Sequence, residues 1–180
     1  MKSLDMSVLQ EAGVQLPAGG YVCKIVNVLD FPDKEYLRIY YDIAEGPHTE
    51  YFDQLSQQLS FWPGDFIRSY KTKALYFFKS FLDVVKESNG AFLYDGHNFS
   101  DEKILLNMYV GLVLGHEEYI ATTDQTTRTR LYAANIQTVQ SIRENKFKIP
   151  ELKTLAIPND SAQAGQSDFS SQDSDDGLPF

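Results

Sequence analysis

Cysteine and positive charge are the two things this 180-residue chain has little of. The single cysteine, Cys23, excludes an internal disulfide and a thiolate-built zinc site. Three histidines, His48, His97 and His116, share no ligand spacing. Glu117 and Glu118 follow His116 directly but make no HExxH, and strand alternation would send them to opposite faces. A phosphate-binding glycine loop, a GxSxG elbow and a paired CxxC are all missing. No nucleophile stands beside a base in a recognisable pattern. The expectation is therefore a protein that is not an enzyme and uses no metal or cofactor. Asp30, Asp33 and Glu35 keep a metal-dependent nuclease in view, although they fall in a turn, where solvated acids are ordinary. No apolar run reaches membrane-spanning length, and Met1–Asp5 lacks the apolar centre of a signal peptide. These absences lead us to expect a cytoplasmic protein with no membrane partner.

Lys and Arg number 16 against 25 Asp and Glu, a net charge of −9. A global field that attracts polyanions is thus excluded. The deficit is uneven, since residues 151–180 hold six carboxylates against Lys153 alone. Any nucleic-acid contact has to come from a local basic strip and from base stacking. Aromatic residues are abundant, at 13%, with 11 Tyr and 12 Phe. Tyrosine suits surfaces that are half apolar and half wet.

Three zones follow one another. Residues 1–20 are a lead-in, with a short helix expected over Asp5–Ala12 and a strand-starting Gly19-Gly20 pair. Residues 21–155 form the globular body. Strands are expected over Tyr21–Leu29, Tyr36–Ile43 and Thr49–Leu55. In the second, Leu37, Ile39, Tyr41 and Ile43 share one face and Tyr36, Arg38, Tyr40 and Asp42 the other. Thr72–Glu87 is the clearest helix, with Ala74, Phe77, Phe78, Phe81, Leu82 and Val85 as its core stripe and Asn89-Gly90 as its stop. A shorter helix is expected from Ser100. Asn107–Gly115 reads as a buried strand bent at glycine, 121–129 as a Thr-rich hairpin tip, and Arg130–Ile142 as the last strand. Residues 147–152 read as a segment packed on the body. The 156–180 zone, rich in Ser, Gln, Asp and Gly, reads as a disordered acidic tail. Three strands, helical material and two strands is the order of an OB-fold: a mainly β, five-stranded Greek-key barrel with a helix between strands 3 and 4.

The tail finishes Asp175-Asp176-Gly177-Leu178-Pro179-Phe180. This tip resembles that of bacterial single-stranded DNA-binding proteins, with Leu178 where Ile is usual and Gly177 in place of an acid. Phe180 offers a ring to an apolar pocket, Pro179 limits the backbone, and Asp173, Asp175 and Asp176 attract a basic partner surface. A merely solubilising tail is the plainer alternative. The body is similar to single-stranded DNA-binding proteins of bacteriophages of Gram-positive hosts, through LPAGGYVCKI (16–25), YYDIAEG (40–46), FIRSYKTKALYFFKSF (66–81), VGLVLGHEEY (110–119) and RLYAANIQTVQSI (130–142). The resemblance implies single-stranded DNA binding in phage replication or recombination, recruitment of replication and recombination proteins through the tip, homo-oligomeric assembly, and residence in the bacterial host cytoplasm.

Unpaired bases are held by rings and phosphates by cations. Three sets combine both. Tyr36, Arg38 and Tyr40 lie on the polar face of the second strand; they alternatively cover the wall or an oligomer interface. Trp62, Arg68, Tyr70, Lys71 and Lys73 surround a turn and a helix entry; Trp62, the only tryptophan, serves as platform or as core anchor, and its neighbour Phe61 is expected in the core. Tyr119, Arg128, Arg130 and Tyr132 flank the hairpin tip; the plain alternative is a hairpin with incidental arginines. A non-enzymatic adaptor that binds only proteins is the competing function.

Overall fold

The computed structural model describes residues 15–155. Residues 1–14 and the 156–180 tail, including the tip Asp173, Asp175, Asp176, Leu178, Pro179 and Phe180, lie outside them, as does the expected Asp5–Ala12 helix. The chain builds β1 (Gly19–Phe31), β2 (Tyr36–Ile43), α1 (Tyr51–Leu59), β3 (Asp65–Ser69), α2 (Leu75–Ser88), β4 (Tyr109–Ile120), β5 (Thr127–Gln137) and α3 (Val139–Arg143). The five strands make one antiparallel sheet in the order β3-β2-β1-β4-β5. The sheet does not close into a barrel: β3 and β5 come into contact along their outer edges without pairing.

The β2 alternation holds. Leu37, Ile39, Tyr41 and Ile43 are buried, and Tyr36, Arg38 and Tyr40 are half-exposed. Asp42 breaks the rule, because its buried carboxylate accepts the N–H groups of Ile43, Phe52 and Asp53 at 2.8, 2.9 and 3.1 Å. It thereby caps α1 from a distance, since Glu50 at the N-cap contributes no side-chain bond. This helix stands where a third strand over Thr49–Leu55 is expected. Phe52, Leu55 and Leu59 recur at helical spacing, and the Asp42 cap settles the matter. The third strand falls later, at Asp65–Ser69.

Helix α2 lies between β3 and β4 as expected and buries Phe78, Phe81, Leu82 and Val85. Phe77, expected in that core, is 62% exposed. Three consecutive aromatics, Tyr76-Phe77-Phe78, cannot share one face when each residue turns the helix by about 100°. Asn89 joins α2 to β4: its amide donates to the Val85 and Tyr109 carbonyls, and its side-chain oxygen accepts the Tyr109 N–H. The expected helix at Ser100 is a 3-10 turn at Glu102–Leu105, capped by Asp101. The last strand ends at Gln137 rather than Ile142, because Thr138 accepts the Ser141 N–H and starts α3.

A smaller apolar cluster of Val22, Val113, Val139, Ile142 and Phe147 covers the other face of β1 and β4. It forms because two glycines lack side chains. A Cβ on Gly20 would lie 2.5 Å from the Phe147 ring; one on Gly111 would lie 2.5 Å from Ile142 and 2.7 Å from the Thr138 carbonyl. Gly111→Ala is therefore expected to cost about 2 kcal/mol by overpacking, measured by urea unfolding. No helix among the described residues is long and apolar enough to cross a membrane.

Candidate nucleic-acid interface

The approach of β3 to β5 leaves a seam, and the seam opens on either side into a groove. Wherever two residues oppose each other in the β2–β3 ladder, their side chains share a face. Arg68 opposes Leu37 and so projects toward the core side of an edge strand. Ile67 opposes Arg38, Asp65 opposes Tyr40 and Ser69 opposes Tyr36, all on the outer face.

The first groove, about 760 Å³, runs from α1 and the turn after it to the middle of β5. Arg38, Tyr40, Trp62, Arg68, Arg130 and Tyr132 line it, so it draws on all three sets. Trp62 donates its indole N–H to the Tyr41 carbonyl at 3.0 Å, which fixes the ring while leaving it half-exposed. Phe61, expected in the core, is 62% exposed in the same wall. Tyr132 opposes Gly115, and Lys153 caps its ring with the ammonium 3.9 Å from the centroid.

The second groove, about 580 Å³, lies between β3, α2 and β5. Lys34, Arg68, Lys71 and Lys73 line it without a carboxylate among the described lining residues. Its rings are Tyr36, stacked on Phe31 at 4.9 Å, and the exposed Phe77. Ile67 and Arg68 line both grooves, so the two adjoin at β3.

Electrostatics separates the arginines. Arg38 pairs with Asp65 at 2.6 Å and Arg130 with Glu117 at 2.7 Å. Arg128 pairs with Asp124 in the hairpin tip. Each bond to a carboxylate neutralises charge that a phosphate would otherwise meet. Arg68 has no such partner among the described residues. Its Nε is buried without a hydrogen-bond acceptor, while one terminal nitrogen donates to the Ile67 carbonyl at 3.1 Å. Burial lowers its guanidinium to about 10, so it stays charged at neutral pH. An unsatisfied buried donor costs about 1–3 kcal/mol.

Nine of the twelve candidate residues thus line one or other of these two adjoining grooves. Three do not. Tyr70 turns to a separate cleft, donating its hydroxyl to Asp30 at 2.8 Å, and desolvation together with that carboxylate pushes its phenol up to about 12. Tyr119 and Arg128 sit near the hairpin tip, where Tyr119 lies under Arg130 with 5.2 Å from guanidinium carbon to centroid. Residues missed in the sequence are Phe61, Phe77 and Lys34. The Tyr76-Phe77-Phe78 run signals Phe77; nothing local marks Lys34. Neither the protein-family models nor the curated proteins compared with the chain match it.

Proposed function

We propose that the chain binds single-stranded DNA without catalysis, along the channel between β3 and β5, and hands it to replication or recombination enzymes. The observation that supports this best is Arg68, a half-buried cation with no carboxylate partner among the described residues, where two ring-lined grooves adjoin in an acidic protein. A strand laid there would set phosphates on Arg68, Lys71 and Lys73. Bases would stack on Trp62, Phe61, Phe77 and Tyr36, each stack contributing about 1–3 kcal/mol. We read the fold as an OB-fold whose barrel is left open at this seam. The β2–β3 face that such folds use is the one carrying Tyr36, Arg38 and Tyr40.

Oligothymidine titration tests the reading. Trp62 is the only tryptophan, so its emission should be quenched on binding. With three phosphates neutralised, log affinity should fall against log salt with a slope of about −2. Absence of binding at low salt would refute the proposal and leave the adaptor reading.

The acidic 156–180 zone belongs to the same proposal. Asp173, Asp175 and Asp176 with Leu178, Pro179 and Phe180 would dock a partner of basic and apolar surface. Removing residues 156–180 should abolish partner capture and tighten oligothymidine binding at low salt. Unchanged affinity would count against competition between tail and DNA.

A further inference from the structure

We propose that the first groove selects among bases and favours guanine, while the second groove takes the phosphates. The inference rests on the reading of the two grooves as the path of single-stranded DNA and names the base that the first one prefers.

The carboxylates of the first groove carry the argument. Asp65 and Glu117 both line it, half-buried, where a phosphate would be repelled. The second groove, with Lys34, Arg68, Lys71 and Lys73, has no carboxylate among its described lining residues. Base edges, not phosphates, therefore suit the first groove. Asp65 sits diagonally across the β2–β3 ladder from Arg38, and Glu117 stands directly opposite Arg130. Both ion pairs are single-point contacts. Arg38 Nε donates to Asp65 Oδ2 at 2.6 Å, and Arg130 Nε donates to Glu117 Oε1 at 2.7 Å. Four of the five N–H donors of a guanidinium sit on its two terminal nitrogens. Among the described residues those nitrogens of Arg38 and Arg130 have no acceptor, and Asp65 Oδ1 and Glu117 Oε2 have no donor. Each pair thus presents spare donors beside a spare acceptor. Arg38 also lies over the Tyr40 ring, 5.9 Å from guanidinium carbon to centroid, which steadies the fork.

The chemistry of the bases names the ligand. An unpaired base exposes all its hydrogen-bonding edges. Guanine offers two acceptors, O6 and N7, to an arginine fork. Its N1–H and 2-amino group can donate to a carboxylate oxygen. Thymine shows one acceptor and a methyl group where guanine has O6 and N7, and it has a single N–H donor. Adenine and cytosine place an amino donor where guanine has O6, which a guanidinium meets poorly. Tyr40, Trp62 and Tyr132 in the same groove supply rings on which the selected base stacks.

Three oligomers titrated against the full chain at low salt test this. They are oligothymidine, the same oligomer with isolated guanines spaced along it, and that oligomer with hypoxanthine in place of each guanine. The guanine oligomer should bind about tenfold tighter than oligothymidine. Hypoxanthine lacks only the 2-amino group, so its affinity should fall between the two. In Asp65→Asn and in Glu117→Gln the guanine advantage should shrink to about threefold or less. Each variant also releases an arginine to meet a phosphate, so oligothymidine should bind it more tightly, with a salt slope steeper by about 0.7. Equal affinity for the guanine and hypoxanthine oligomers would trace any preference to purine stacking and overturn the proposal, while the DNA reading would stand. A guanine advantage kept in full by both variants would overturn it as well. If no oligomer binds at low salt, the DNA reading fails and base selection fails with it.

Discussion

Replacing Arg68 by Met should weaken oligothymidine binding about thirtyfold while leaving the fold as stable as before, or more so. The two expectations come from one geometry. Arg68 lies on the core-side face of β3, opposite Leu37, with its Nε lacking an acceptor and no carboxylate paired with it among the described residues. Charge-assisted hydrogen bonds to phosphate contribute about 2 kcal/mol, which corresponds to about thirtyfold in affinity. Met fills a similar volume without a buried donor, so unfolding free energy should hold or rise by about 1 kcal/mol. Fluorescence titration at fixed salt and urea unfolding measure the two halves. A stability loss with unchanged DNA affinity would make Arg68 a structural residue and remove the main support for the channel. Lys71→Ala and Lys73→Ala, on the groove rim, should instead flatten the salt slope by about 0.7 each.

Replacing Asp42 by Ala should cost about 3 kcal/mol of stability. Three backbone N–H groups donate to this one buried carboxylate, two of them, from Phe52 and Asp53, at the start of α1. Loss of a cap costs about 1 kcal/mol, and orphaned buried donors add about 1–3. A chain of this size should then melt about 6–12 °C lower, as followed by circular dichroism. Asp42→Asn keeps an acceptor oxygen and should lose less than half as much. Because Trp62 bonds to the Tyr41 carbonyl beside this cap, its emission should change as well. Oligothymidine affinity measured well below the melting range should stay within a few-fold of the unaltered value, which separates the structural role of Asp42 from the proposed binding role of Arg68.

What could be read from the sequence follows the strength of local periodicity. The β2 alternation and the core stripe of α2 are visible because each element buries one face and repeats its period several times. Helix α1 is illegible for the opposite reason: its start is set by Asp42, eight residues before Glu50 and on another element. Phe61 and Phe77 look like core from hydropathy, but their exposure depends on which side of a turn or helix the sheet lies. The three candidate sets lie on separate stretches of the sequence, and only the meeting of β3 with β5 brings most of them together. Tyr70 illustrates the limit: two residues after Arg68, it faces another cleft, where Asp30 takes its hydroxyl hydrogen bond.

The central position of β1 has a consequence in time. It pairs with β2 soon after it in the chain, but also with β4, joining Gly19 to Leu114. A ribosome-bound chain can zip the β1–β2 hairpin early. It cannot seat the other edge of β1 until the polypeptide past Leu114 has emerged. Such distant partnering makes folding slow, on the order of milliseconds to seconds. During that wait the apolar inner face of the hairpin is without its final neighbours, so helper proteins that shield nascent chains should engage the first half of this molecule.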